Sequence, residues 1–122
     1  MTSVQLFLFV EAAAFGAAAL VHAGVLAAGY QHREAMIAES VIAIVLALGL
    51  VASLAIPRRS RAVGLAAQGF ALFGTLVGIF TMIIGVGPQS VFDVALHIGF
   101  VTLLISGLIV VGRGAEASSP AG

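Results

Sequence analysis

The chain contains no cysteine and no lysine, and only 8% of its 122 residues are charged, five acidic against five arginines, for a formal net charge of zero. Each scarcity removes a class of function. Without cysteine there are no disulfides, thiolate metal sites, iron–sulfur clusters or thiol redox steps. With so few basic residues no face can neutralise a run of phosphates, which excludes nucleic acid as a partner. No Lys or Arg precedes Arg33. The basic start of a cleaved secretory signal is therefore missing, and the first apolar run is too long for one, so it reads as a retained spanning helix.

What the chain does have is apolar residues, 61% of the total, far above the share in water-soluble domains. They fall into four runs, residues 4–28, 35–56, 62–86 and 91–111. Each reaches the roughly 20 residues that a helix rising 1.5 Å per residue needs to cross about 30 Å of hydrocarbon. Backbone groups in lipid must be satisfied within the segment, so the runs are helices; four strands could not close a barrel. The short links at 29–34, 57–61 and 87–90 force neighbouring helices to run antiparallel. The expected fold is all-α, an integral membrane four-helix bundle running up-down-up-down.

Pro57 and Gly87-Pro88 stop the second and third helices, and Ser90 can cap the fourth. The helical domain covers 1–113, and the small, polar stretch 114–122 reads as an unstructured tail. Arg58, Arg59 and Arg61 crowd the middle link, with Arg113 after the last helix on the same side. Positive charge stays in the cytoplasm, which puts both termini there, in the plasma (inner) membrane of a bacterial-type cell, and the links around His32 and Pro88 outside. Arg33 opposes this weakly. Gly74 and Gly78 have the spacing that lets helix backbones approach closely, either within the bundle or in a homo-oligomer.

Polar residues inside the runs carry the functional expectation. Counted from the outer links, His22, Glu39 and His97 each lie roughly 8–11 Å deep at 1.5 Å per residue. Three ionisable groups at one depth form a candidate layer, because such groups inside a spanning helix are functional by default. His22 and His97 on separate helices could hold b-type haem between them for electron transfer or a redox accessory role, the ligand logic of membrane cytochromes, with Ala18, Ala19, Ala23, Ala95 and Gly99 leaving space. That resemblance is architectural; no family motif accompanies it. The set His22, Glu39 and His97 could instead hold a single iron or zinc ion, or copper with help from Met36 and Met82. The four carboxylates of a di-iron site are lacking.

Two cofactor-free readings stand beside these. His22 could bond Glu39, with His97 on Ser90 or Asp93, as a brace in an accessory or assembly subunit. Alternatively, the layer could handle protons for a quinone or another small solute arriving through the lipid. A second polar layer pairs Glu11 with Gln68 nearer the cytoplasm, where a carboxyl stays protonated or accepts the amide, since an unpaired charge in hydrocarbon costs several kcal/mol. No internal hydroxyl is placed beside both a histidine and an acid, so nucleophilic catalysis is not expected and the chain does not read as a stand-alone enzyme. His32 belongs to a solvated link at the entrance to the layer.

Overall fold

A computed structural model describes residues 1–118 and is helical almost throughout. The elements are α1 (Ser3–His22), α2 (Arg33–Ala55), a short 3-10 turn at Pro57–Arg59, α3 (Ser60–Ile83) and α4 (Val91–Ser118). All four helices are long and apolar enough to cross a membrane, which marks the chain as a membrane protein. Each helix packs on the next, and α4 closes against α1.

Side-chain placement differs from that in a water-soluble bundle on the outer surface. Large apolar residues face outward, among them Phe73 (68% exposed) and Leu48 (62%), while Glu11 and Gln68 are at 0%. With lipid outside there is no hydrophobic drive to bury leucine, so close packing and interhelical polar contacts hold the bundle together. Its core joins Leu8, Phe15, Ile42, Leu46, Phe100 and Leu104. Small residues set the helix spacing: a Cβ on Gly49 would stand 2.9 Å from that of Ala67, and one on Gly74 would stand 3.0 Å from Ile42. Gly74 and Gly78 therefore serve contacts within this chain, the first against α2 and the second against His97 on α4.

The helix ends depart from expectation in one way that matters for the site. The first apolar run continues to residue 28, yet α1 stops at His22. Gly24 takes a left-handed φ of 81°, and the N–H groups of Gly24 and Val25 turn back onto the carbonyls of Val21 and Leu20. That paired closure ends a helix whatever the polarity of the residues beyond it, and Val25 to Ala28 become part of the connection. The third helix ends the same way at Ile83 rather than 86, with Gly85 at φ 83° and Val86 bonded back to Thr81. Pro57 ends α2 as its sequence implies, and Thr2 with Gln5 forms a reciprocal cap on α1. The backbone of α4 is helical as far as Ser118, through the first part of the stretch read as an unstructured tail, where Ala115, Glu116 and Ala117 are good helix formers. The rest of that stretch, 119–122, lies outside the described residues.

The two connections with left-handed glycines lie together at one end of the bundle. Tyr30 meets Phe92 with ring centroids 4.9 Å apart, and His32 Nε2 approaches the Val86 carbonyl at 3.4 Å. At the opposite end, Ser53 and Ser60 join hydroxyls at 2.6 Å across the turn between α2 and α3. Other hydroxyls, such as Thr75, Thr102 and Ser106, bond back to the carbonyl four residues earlier, as isolated hydroxyls in lipid do.

Candidate functional site

His22 occupies the last position of α1 and is buried. Its ring is held between two carboxylates: Nδ1 is 2.7 Å from Glu39 Oε2, and Nε2 is 2.7 Å from Asp93 Oδ1. Three helices are thereby joined through one imidazole. The Glu39 contact matches the bracing alternative read from the sequence. The Asp93 contact is not visible there, because the unbroken apolar run places His22 seven residues inside a helix ending near Gly29. With α1 ending at His22, the ring instead stands level with the third residue of α4.

Asp93 is prepared for this role by its own helix start. Its Oδ2 accepts from the Ser90 hydroxyl and backbone N–H, while the Asp93 N–H bonds back to Ser90 Oγ at 3.1 Å. The reciprocal cap fixes the carboxylate rotamer and leaves Oδ1 to meet His22. The sequence signal was the pair of Ser90 and Asp93 three apart at a helix start. What it could not show was that the same carboxylate reaches across to another helix.

His97 does not bond His22 directly. Its Nδ1 is 2.7 Å from the Asp93 backbone carbonyl, one turn earlier on α4, so N–H donates there and Nε2 carries the lone pair. Among the described residues Nε2 has no protein partner, and it lies 3.5 Å from the position a Cβ on Gly78 would take. A Cβ there would be in ordinary contact with the ring edge. The three layer residues are therefore connected in series, Glu39 to His22 to Asp93, with His97 attached through the Asp93 backbone.

A cleft of about 160 Å³ opens beside this chain between α2 and α3, at the mouth marked by exposed Val77 and Ala38. Glu39 and His97 line it, with Thr75 and Gly78 on the α3 side and His32 at the rim. Phe15 and Phe100 close its deep side, stacked at 4.0 Å between centroids. Glu39 contributes a further feature: its Oε1 is buried and makes no hydrogen bond among the described residues. His32 is more engaged than a solvated link residue. Its Nδ1 accepts from Ala35 N–H and caps α2, while its own backbone N–H bonds the His22 carbonyl at 2.9 Å.

The second layer is assembled but not bonded. Glu11 and Gln68 both come beside Gly107, where an added Cβ would stand 2.5 Å from Glu11 Oε1 and 3.0 Å from Gln68 Oε1. Among the described residues, both Glu11 oxygens and both Gln68 polar atoms nonetheless lack a partner. The expected acceptance of the Gln68 amide by Glu11 is not formed; the two side chains converge on the α4 backbone instead of on each other.

For haem or a metal ion, lone pairs decide the fit. A histidine ligates through an unprotonated nitrogen. Both His22 nitrogens are engaged by carboxylates, so only His97 Nε2 is open to a ligand in this arrangement. Among the described residues no group of three His, Asp or Glu side chains has the geometry to hold a metal ion. Coordination by His22 would require it to release Glu39 or Asp93. No protein-family model, curated protein or solved structure matches this chain.

Proposed function

We propose that this protein binds a small lipid-soluble ligand of the quinone type in the cleft between α2 and α3, and that Glu39, His22 and Asp93 carry the protons this ligand takes up or releases when a separate electron-transfer partner reduces or oxidises it. One observation carries the reading. His97 Nε2 and Glu39 Oε1 both lack protein partners, and both residues line the same largely apolar cleft. A ring bearing carbonyl or hydroxyl groups suits such a site, because a few polar atoms on apolar walls fix its orientation. Phe15 and Phe100 offer the ring an aromatic boundary.

Histidine can take a proton at one nitrogen and release one from the other, so His22 can pass a proton between Glu39 and Asp93 without leaving its place. Asp93 adjoins the connection between α3 and α4 through Ser90, which gives the chain an outlet toward water. In this reading the bundle runs up-down-up-down in the inner membrane, with the arginine-rich end in the cytoplasm and the cleft in the outer leaflet.

Contact between three helices at His22 also supports a second reading, a cofactor-free brace within a larger membrane assembly. The unpartnered atoms on these two cleft-lining residues favour the first, because a brace gains nothing from leaving them unbonded. Imidazole resonances of protein labelled with ¹⁵N-histidine decide between the two. A short-chain quinone should shift His97 more than His32, and His97→Ala should abolish binding while the bundle stays folded. Unchanged His97 resonances at saturating quinone would overturn the ligand reading and leave the brace.

A further inference from the structure

At the end of the bundle away from His22, a cleft of about 680 Å³ lies between the start of α1, the turn before α3 and the end of α4. Arg58, Arg61 and Arg113 line it, one each from the 3-10 turn, α3 and α4. Arg61 Nη2 donates to the Gly112 carbonyl at 3.3 Å, which holds that guanidinium across α3 and α4 instead of leaving it to extend into water. Arg58 and Arg61 have no carboxylate partner among the described residues.

Two further features shape what this cleft can hold. Thr2 and Ser3 line it at the start of α1, a helix of 20 residues whose first N–H groups have no helical acceptor and carry the positive end of its dipole. Val4, Val110 and Val111 give the cleft an apolar side, beside Gln5 and Ser60. A soluble anion needs only the cationic rim. A molecule with a phosphate head and hydrocarbon below it uses both surfaces, and basic pockets between helix ends at the membrane surface recognise such headgroups.

We propose that this cleft binds the headgroup of an anionic phospholipid, with the phosphate among Arg58, Arg61 and Arg113 and the acyl chains along the valine wall. The site is separate from the His22 cleft and does not depend on what that cleft binds. Native mass spectrometry of the full chain in mild detergent tests it, with phosphatidylglycerol titrated against phosphatidylcholine. Phosphatidylglycerol should remain bound where phosphatidylcholine is lost. Arg58→Gln, Arg61→Gln and Arg113→Gln should each weaken retention about fivefold, the effect of one basic group near a charged headgroup. Arg33→Gln, at the other end, should leave it unchanged. Equal retention of the two lipids by the unmodified protein would overturn the proposal, as would undiminished retention by a folded Arg58→Gln/Arg61→Gln variant. Displacement of phosphatidylglycerol by inorganic phosphate would assign the arginines to free anions and overturn the lipid assignment.

Discussion

Asp93 Oδ1 stands 2.7 Å from His22 Nε2 across 71 residues of sequence, and this contact draws the first and last helices together around one ring. With Glu39 on the opposite nitrogen, the imidazole has no unused polar atom. Stability and function then rest on different atoms. His22 is the joint, while Glu39 Oε1 and His97 Nε2 are open.

Removing the joint should be costly. His22→Ala leaves the carboxylates of Glu39 and Asp93 buried without their shared partner, a change of about 3–5 kcal/mol by analogy with broken buried pairs. Asp93→Asn keeps an oxygen for Ser90 and an amide for His22, so its cost should be smaller, about 1 kcal/mol, in line with interhelical hydrogen bonds in lipid. Reversible unfolding in mixed micelles should rank the two in that order. A His22→Ala protein as stable as the unsubstituted one would show that the His22 contacts carry no net energy.

The second polar layer can be tested through the glycine beside it. Gly107→Ala places a methyl group where Glu11 Oε1 and the Phe7 ring edge, 3.0 Å away, already sit, and should destabilise by about 1–3 kcal/mol through overpacking. In a Glu11→Ala background most of that loss should disappear, since the nearest obstacle is gone. A double-mutant cycle with no coupling would place the Glu11 carboxyl away from α4.

The helices were legible in the sequence because lipid imposes a length and a polarity on every span. Their ends were less so. Val25, Leu26, Ala27 and Ala28 extend the first apolar run without a break in hydropathy, and only the left-handed turn at Gly24 removes them from the helix. That shift carried His22 from an inferred interior position to a helix terminus and gave it Asp93 as a partner. Glu39 was found because its depth depended on a helix start that changed little, from 35 to Arg33. The cleft was not legible at all. It arises where Gly74 and Gly78 thin one wall and two connections border one end, a tertiary outcome that helical spacing does not encode.

The sidedness expected from the arginines is open to direct labelling in a chain without native cysteine. Single cysteines at Ser60 and at Gln89 should react oppositely with an impermeant thiol reagent, Gln89→Cys in intact cells and Ser60→Cys only after lysis. The reverse pattern would put the His22 cleft on the cytoplasmic side and the arginine cleft outside.

The two histidines of the layer should separate when each is replaced. His97 has one structural bond, to a carbonyl already used in its own helix, so His97→Ala should cost little stability, about 1 kcal/mol for a hydrogen bond and some packing. Its effect should fall on the cleft, where Nε2 is the available imidazole nitrogen. His22→Ala should do the opposite, weakening the bundle first and ligand binding only through Glu39, whose position it holds. A cofactor shared by both histidines gives a different pattern, since either replacement then removes a ligand and abolishes the cofactor equally. Absorption spectra and metal analysis of protein from haem- and metal-replete cells, taken beside the two stabilities, distinguish these cases. A low-spin b-type spectrum lost in both variants would mean that His22 releases a carboxylate to bind iron, and the proton-handling reading of the chain from Glu39 to Asp93 would fall with it.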